Sequence, residues 1–592
     1  MRYRGVYLRS SVNLFQSCFN FQYSSPRLLQ IYTPGQVSNR GAVACASAYM
    51  GDLIAAGIIP PKAACLAVDP TKLQRARDKL LGEANSLGVE EIEKKKPRCL
   101  MFDARIDPTN VRHYDSETNK YYARVEKEDH YSVTDEDGLY IIYFTEPGKN
   151  LTEKEEDDEE FDVNVEVEAE ETAEAEVPAD EDTNDKVTDQ AYLSDVQKEL
   201  EKKPAEVVAR LLVEKIRELG LENTLELLGG DSTSSNTGWR GGVIAWVERI
   251  IGRKFHWLIC LVHTNELGLR CLIQKTDGKT DSKKGFSGPL GKLLKLVPQM
   301  KHNPSFKPIS VGPDLISLPP EIVKSLSTDA NLAYLRCQAV RSGHLPRDVA
   351  LRKTGEIVHC RWLTTGSTFL DMWTREHGLE GELLIRLENI VIYLVSDYFP
   401  MHFLIKVKHS WLDGPRHVLN ELSLFRLQAP SVQELLEATV RRSAWYSHSE
   451  SVLQTMICSD DKDERGFAVD MILKIRGRKT EGDLRPRYRK HPELKLDATN
   501  LKDMISWKRA KEPVLTCKLS KQELLDFKVT PMMVNYYPVH SQGMERSVQE
   551  LSHASLAVFG FERREGWMRA RAANRNLMPE FRTKKDLVNP YQ

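Results

Sequence analysis

The stretch LELLGGDSTSSNTGWRGGVIAWVERIIG, residues 225–252, decides the fold of this chain. The run Thr224 to Leu228 predicts a short buried strand, and Gly242 to Ile251 predicts an amphipathic helix. A Gly- and Ser-rich loop joins them and holds one acid, Asp231. This loop is therefore either a glycine-rich phosphate loop or a loop that presents a carboxylate for metal-dependent chemistry.

The glycines match neither of the common phosphate-loop motifs. A P-loop needs GxxxxGK[ST], whose lysine and hydroxyl residue are missing here, and GxGxxG is missing as well. Gly238, Gly241 and Gly242 open the predicted helix, so their amides offer an anion site that suits a DNA phosphate as well as a nucleotide. The carboxylate interpretation is favoured, with nucleotide binding as the weaker alternative.

Three strands are predicted upstream of this stretch. Pro97 to Phe102 predicts strand one, with Asp103 at its end. Tyr121 to Val125 and Leu139 to Phe144 predict antiparallel strands two and three, joined through Asp137-Gly138. The first part of the sheet is therefore predicted to be a meander.

A helix and a fifth strand complete the pattern. Apolar residues repeat at helical spacing from Val207 to Leu219, with Pro204 suited to the first turn and Gly220 to the C-terminal stop. After the quoted stretch, His256 to Val262 predicts strand five. The predicted order of elements is βββαβαβ.

Asp103 and Asp231 are candidate catalytic carboxylates because of this order. If strands one and four are neighbours in one mixed sheet, the two acids emerge at the same edge. Two close carboxylates repel each other unless a cation lies between them, and Mg²⁺ (or Mn²⁺) is the expected ion. That geometry suits two-metal phosphoryl transfer.

The order of elements and acids resembles the ribonuclease H-like fold of DDE nucleases and transposases, and within that group it resembles the hAT transposase superfamily. The shared motifs are Leu100-Met101-Phe102-Asp103, Asp231 with Asn236 (DxxxxN), Cys260-Leu261-Val262-His263-Thr264-Asn265 (CxxHxxN, one residue short before the Asn), Arg361-Trp362 and Glu545-Arg546. The likeness runs loosely from about residue 40 to the end. No counterpart of the family's N-terminal BED zinc finger is found.

The resemblance implies an α/β (mixed α+β) chain whose five-stranded mixed sheet is interrupted by a large all-α insertion. It implies that Asp103, Asp231 and Glu545 are catalytic and bind the metal. Glu545 lies near the start of a predicted helix whose apolar stripe is Met544, Val548, Leu551, Ser555 and Val558. A helix-dipole role for Glu545 and Glu266 as the third acid remain open. DNA-contacting or structural roles are implied for Cys260, His263, Asn265, Arg361 and Trp362.

Charge is distributed very unevenly along the chain. Residues 153–185 carry 18 acids against Lys154, a charge of −17, so the remainder carries +15. The acidic run predicts a disordered segment, either simply solvated or acting as a mimic of nucleic acid. The basic remainder predicts DNA as a partner. The candidate DNA-binding patches are Lys474, Arg476, Arg478, Lys479, Arg485, Arg487, Tyr488, Arg489 and Lys490, and Lys275, Lys279, Lys283, Lys284 and Lys292.

The cysteines and the N-terminus indicate the compartment. Ten scattered cysteines without a CxxC pair favour a reducing environment, and Cys260 with His263 lacks the partner ligands that zinc needs. A nuclear location is predicted, with a mitochondrial one as the alternative because the first fifty residues are acid-free and contain Arg and Ser. The sequence contains no run of 18 consecutive apolar residues, so no membrane span is predicted.

Seven segments are predicted: an N-terminal extension (1–38), a helical N-terminal region (39–95), the two ribonuclease H-like parts (96–148 and 204–268), the acidic insertion between them (149–203), the helical insertion (269–530) and a C-terminal helix with its tail (531–592). The predicted function is a hAT-like transposase, active or domesticated, with a possible homo-oligomeric state. The alternative is a catalytically inactive DNA-binding or scaffold protein of the same fold.

Overall fold

A computed structural model describes the chain over residues 70–116, 118–135, 138–145, 204–281, 285–357, 362–408, 410–477, 494–507, 519–526 and 542–574, with isolated positions between 48 and 61. The acidic run 153–185 lies outside the described residues, as does most of the predicted N-terminal helical region before residue 70.

The strands are β1 Cys99–Asp115, β2 Lys120–Thr134, β3 Tyr140–Thr145, β4 Leu227–Gly230, β5 His256–Ile259, β6 Thr280–Asp281 and β7 Gly285–Phe286. The α-helices are α1 Pro70–Lys95, α2 Pro204–Glu218, α3 Ser234–Thr237, α4 Val243–Ile251, α5 Leu261–Thr276, α6 Pro289–Leu293, α7 Pro320–Ser325, α8 Thr328–Ser342, α9 Arg347–Leu351, α10 Trp362–Trp373, α11 Gly381–Tyr393, α12 Phe399–Val407, α13 Gly414–Leu427, α14 Pro430–Ala444, α15 Ser449–Ile457, α16 Lys462–Arg476, α17 Lys521–Asp526, α18 Gln542–Ala557 and α19 Phe561–Asn574.

Five strands form one mixed sheet in the order β3-β2-β1-β4-β5. β1 and β2 are antiparallel, and so are β2 and β3. The carbonyl of Arg98, just before β1, accepts a hydrogen bond from the amide of Leu227 at the start of β4 (3.0 Å). At the other end of β4, the carbonyl of Gly230 accepts from the amide of Cys260, just after β5 (3.1 Å). β1, β4 and β5 therefore run in the same direction, and the predicted five-stranded mixed sheet is confirmed.

The chain divides into two compact units. The first combines residues 1–150, 214–227 and 542–592, and the second combines 151–213 and 228–541. One core of the first unit joins α1, β3, α18 and α19, and its buried members are Leu81, Tyr140, Tyr143, Leu551, Ala554, Val558, Trp567 and Met568. The large core of the second unit consists mainly of helices.

The first two strands are much longer than predicted. The β1–β2 ladder runs from Met101 opposite Thr134 to Asp115 opposite Lys120, whereas β3 pairs only with the last residues of β2. Asp103 therefore lies inside β1, not at its end, which corrects the prediction. Backbone ladder hydrogen bonds do not require apolar side chains, so the polar part of β1 continues the strand without an apolar signal.

Residues 269–530, predicted as a helical insertion, contain many helices of the second unit. Two of them are α11 and α14. A π-helical turn, Leu394–Tyr398, joins α11 to α12, so that Gly381–Val407 forms one continuous helical stretch. By length and composition this stretch resembles a membrane span, yet 78% of its most apolar window is buried inside the protein, as in the core helix of a soluble protein. The prediction that no segment spans a membrane stays a prediction.

The end of strand five differs from the prediction. β5 ends at Ile259 and α5 begins at Leu261, so Leu261 and Val262 are helical. The apolar run His256 to Val262 fits a strand and the start of a buried helix equally well, because periodicity does not separate the two over so few residues. As a consequence, His263, Asn265 and Glu266 project from a helix instead of following a strand.

Candidate functional site

Asp231 is held in a fixed orientation directly after β4. Its Oδ1 atom accepts hydrogen bonds from the Thr233 amide (3.0 Å), the Thr233 hydroxyl (2.6 Å) and the Asn236 side-chain amide (2.7 Å). Within the described part of the chain, no hydrogen bond reaches its Oδ2 atom. One oxygen therefore positions the carboxylate, and the other remains for a ligand. Asn236 of the DxxxxN motif contacts Asp231 directly.

The glycines let the loop fold tightly against itself. A Cβ atom on Gly242 would lie 2.5 Å from the Gly238 nitrogen, and one on Gly238 would lie 2.7 Å from the Ser234 carbonyl oxygen. The Gly238 amide donates to Ser234 and the Gly242 amide donates to Gly238. Since the amides of two of these glycines already have backbone acceptors, the geometry favours the carboxylate interpretation of the loop over the phosphate loop.

The segment around α14 closes the loop from the other side. A guanidinium nitrogen of Arg442 donates to the Ser232 carbonyl (3.1 Å), and the Tyr446 hydroxyl lies 3.3 Å from the same oxygen. The Tyr446 hydroxyl is also 3.0 Å from the Thr237 hydroxyl. Both ends of the Asp231 loop are therefore tied to the end of α14.

The charge of the Asp231 carboxylate acts on the His263 imidazole. Burial lowers the pKa of His263 and the Asp231 carboxylate raises it, while Arg270 and Arg442 lower it further, so the pKa is below its ordinary value. The imidazole is consequently neutral near pH 7. His263 is the residue of the CxxHxxN-like motif that the second unit brings close to Asp231.

The other residues of that motif are buried. Cys260 is 3% exposed and precedes α5, and Asn265 is 5% exposed. The Asn265 amide donates to the Tyr398 carbonyl in the π-helical turn (3.0 Å), so it stabilises the junction of α11 and α12. Trp362, the first residue of α10, is likewise buried, and Arg361 lies outside the described residues. Their predicted contact with DNA stays a prediction.

Asp103 belongs to the first unit, where β1 and β2 present a polar face. Asp103 lies opposite Ser132, and Arg105 lies opposite His130 on the same face. The Asp103 Oδ1 atom accepts a hydrogen bond from the amide of Ala104 (2.9 Å). Because Asp103 and Asp231 belong to different units, their predicted approach stays a prediction.

Helix α18, which contains Glu545, lies on this same face of the β1–β2 ladder. The Thr134 hydroxyl donates to the Met544 sulfur (3.1 Å), and the Ser555 hydroxyl lies 3.2 Å from the His130 ring. The predicted apolar stripe of the helix is buried, as expected. The backbone of Glu545 therefore lies in the first turn of a helix that covers the strand carrying Asp103, and its side chain is not among the described ones.

A buried polar cluster under α18 was not predicted from the sequence. His130 is fully buried, with one ring nitrogen 3.1 Å from the Glu128 carboxylate and the other 3.8 Å from the Asp107 carboxylate. Burial by itself lowers the pKa of His130, but Asp107 and Glu128 outweigh it, so the pKa is raised. No spacing rule reveals this cluster, because Ser555 is 425 residues away from His130.

The remaining predicted site residues are scattered. Glu266 lies on α5, where its charge raises the pKa of the buried Tyr398 further. Lys474 and Arg476 are exposed at the end of α16. Lys275, Lys279 and Lys292 are described, whereas the other patch residues lie outside the described part of the chain, namely Lys283, Lys284, Arg478, Lys479, Arg485, Arg487, Tyr488, Arg489 and Lys490.

Among the described side chains, no three or more His, Cys, Asp or Glu residues are grouped so as to hold a metal ion. Since the Glu545 side chain is not in that set, Mg²⁺ at Asp103, Asp231 and Glu545 stays a prediction. No protein-family model, no curated protein and no solved structure matches this chain.

Proposed function

We propose that this chain is a hAT-like DNA transposase, or a DNA-binding protein derived from one, in which Asp103, Asp231 and Glu545 hold Mg²⁺ or Mn²⁺. The observation that carries the proposal is the Asp231 carboxylate, with one oxygen fixed by Thr233 and Asn236 and the other left for a ligand. Held by these three carboxylates, Mg²⁺ or Mn²⁺ would supply Lewis-acid activation of an attacking oxygen and charge stabilisation of the leaving oxygen of a phosphodiester.

The role of the surrounding residues is to orient the carboxylates that would hold the metal. Thr233 and Asn236 keep the carboxylate of Asp231 in one rotamer, which lowers the entropic cost of metal binding. In the first unit, α18 fixes the backbone of Glu545 on the face of the ladder to which Asp103 belongs. The strand order, with β1 beside β4, also supports the proposal because the resemblance requires these strands to be neighbours.

The test is cleavage and strand transfer on duplex DNA with Mg²⁺ or Mn²⁺. We expect Asp231→Asn, Asp103→Asn and Glu545→Gln each to lower the rate by about 100-fold or more, since each removes a metal ligand. Asp348→Asn serves as the matched control because Asp348 is an exposed surface acid on α9. Glu266→Gln decides the identity of the third acid, and we expect it to retain activity.

Two results would contradict the transposase proposal. If the wild-type protein binds DNA but neither cuts nor joins it with either metal, the chain is the inactive DNA-binding protein of the alternative prediction. If the protein fails to bind duplex DNA at low salt, both versions are wrong, because a basic body with a DNA site must bind polyanions under that condition.

A further inference from the structure

Arg270 is a partly buried cation that has no counter-ion among the described residues. Its Nε atom is inaccessible to solvent and has no hydrogen-bond partner, and the described residues supply no ion pair for its guanidinium group. The buried arginines Arg336 and Arg569 differ in this respect, since the first pairs with Asp371 and the second with Glu565. Burying a charge without a partner is costly, so the guanidinium group of Arg270 favours a ligand that supplies an acceptor.

The packing of α5 against α14 determines what surrounds Arg270. The Cys271 thiol and the Lys275 ammonium group both contact the carbonyl oxygen of Leu435, at 3.5 and 2.8 Å. Arg442 lies seven residues after Leu435, and His263 lies eight residues before Cys271. Antiparallel packing of α5 and α14 would therefore bring Arg442 and His263 close together. The end of α14 contacts the Asp231 loop through Arg442 and Ser232, and the start of α5 adjoins it through Cys260 and Gly230, so the helices are antiparallel.

His263, near the start of α5, and Arg442 lie beside the Asp231 loop, and Arg270 lies two helical turns farther along α5. His263 and Arg270 are seven residues apart on α5 and so share a face. Both guanidinium groups act electrostatically on His263, and Asp231 is the one acid that does so among the described residues. Arg442 is also tied to the loop through Ser232. Two guanidinium groups and one carboxylate thus act on His263, so positive charge is in excess around the imidazole.

We propose that Arg270, Arg442 and His263 form a binding site for a phosphate group next to Asp231. Guanidinium groups match phosphate in charge and in the geometry of their paired donors, and a bound phosphate supplies the acceptor that Arg270 lacks. The inference deepens the proposed function and rests on it for the source of the phosphate, a DNA backbone. The same chemistry also fits the phosphates of a nucleotide.

The experiment compares Arg270→Gln and Arg442→Gln with Arg441→Gln in the full-length protein. Arg441 is the matched control because it lies next to Arg442 on α14 but is half exposed and pairs with Glu437. Affinity for a labelled 20-base-pair duplex is measured by anisotropy over a series of salt concentrations, and binding of ATP and of inorganic phosphate is measured by calorimetry. We expect each site variant to weaken duplex binding about tenfold and to reduce the salt slope by about one, with a much smaller effect of Arg441→Gln.

Thermal unfolding without DNA separates binding from folding. We expect Arg270→Gln to leave the unfolding temperature unchanged or raised, because the substitution removes an uncompensated charge. A lowered temperature together with weaker binding contradicts the proposal, since Arg270 would then be a structural residue.

The other outcomes are distinguishable. Duplex affinities that fall equally in Arg270→Gln and Arg441→Gln overturn the phosphate site and leave the proposed function intact. Binding of ATP that depends on Arg270, without binding of DNA, supports the phosphate site and contradicts the proposed function. A wild-type protein that binds neither DNA, ATP nor phosphate overturns both.

Discussion

Gly242 is glycine for a steric reason that concerns the orientation of Asp231. The backbone at Gly242 passes so close to Gly238 and Asn236 that an added Cβ atom would lie 2.5 Å from one and 2.8 Å from the other. Gly241, its neighbour, has no atom within 4 Å of its corresponding position. Because Asn236 also donates to Asp231, a shift of this turn moves a group that orients the carboxylate.

We expect Gly242→Ala to lower the free energy of unfolding by about 1–3 kcal/mol, the usual cost of an added methyl group in a packed site. Gly241→Ala is the control and should change it by less than about 0.5 kcal/mol. Urea unfolding followed by circular dichroism measures both. Equal effects of the two substitutions would show that the close approach has no energetic consequence.

His130 is expected to make stability depend on pH. Because its pKa is raised above the ordinary value of 6.5, the protonated ring stabilises the fold at low pH, and this contribution is lost as the pH rises through the folded-state pKa. The charged groups that face the ring are Asp107 and Glu128, with Arg564 beside Glu128.

The measurement compares unfolding temperatures of the wild type and His130→Gln between pH 5.5 and pH 8.5. At pH 5.5 the wild type should unfold at a higher temperature than His130→Gln. This difference in unfolding temperature should shrink as the pH rises. His113→Gln is the control, since His113 is exposed on β1. A difference that grows with pH would mean that burial, not the carboxylates, dominates at His130.

At the scale of elements, the periodicity of apolar residues predicted which face of an element packs against the core. α2 was predictable because Val208, Leu212 and Ile216 recur on one face, and all three are buried. The β5–α5 boundary was not, since Leu261 and Val262 are apolar in either conformation. The length of β1 and β2 was also missed, because their outer ladder carries polar and exposed side chains. Arg270 and His130 were missed because their surroundings depend on contacts distant in sequence.

Asn265 has a structural role, because its side chain binds the π-helical turn between α11 and α12. We expect Asn265→Ala to destabilise the protein by about 1–3 kcal/mol, because it leaves the buried Tyr398 carbonyl without this donor. Duplex affinity of the folded variant should stay within about twofold of the wild type, as its side chain is buried. Unfolding and anisotropy experiments measure the two quantities. A loss of affinity at unchanged stability would instead support the predicted DNA contact at Asn265.

At the scale of the whole molecule, charge separates one segment from all others. Residues 153–185 carry −17 and the rest of the chain +15. Replacing this segment with a Gly/Ser linker of equal length should therefore raise duplex affinity at low salt about tenfold, and the gain should vanish as salt screens the charges. Anisotropy titrations at several salt concentrations measure it. An unchanged affinity would indicate that the acidic run is simply solvated.

The first unit joins segments that lie far apart in the sequence, and this separation has a consequence for the timing of synthesis. The side chain of Asn110 on β1 donates to the carbonyl of Leu556 on α18, across 446 residues. At about 5–20 residues per second, a ribosome takes roughly 20–90 s to add that span. During this interval α18 does not yet cover the polar face of the β1–β2 ladder. The ribosome adds all residues of the second unit before it reaches α18. The nascent chain therefore buries this face of β1 and β2 only after α18 has been synthesised.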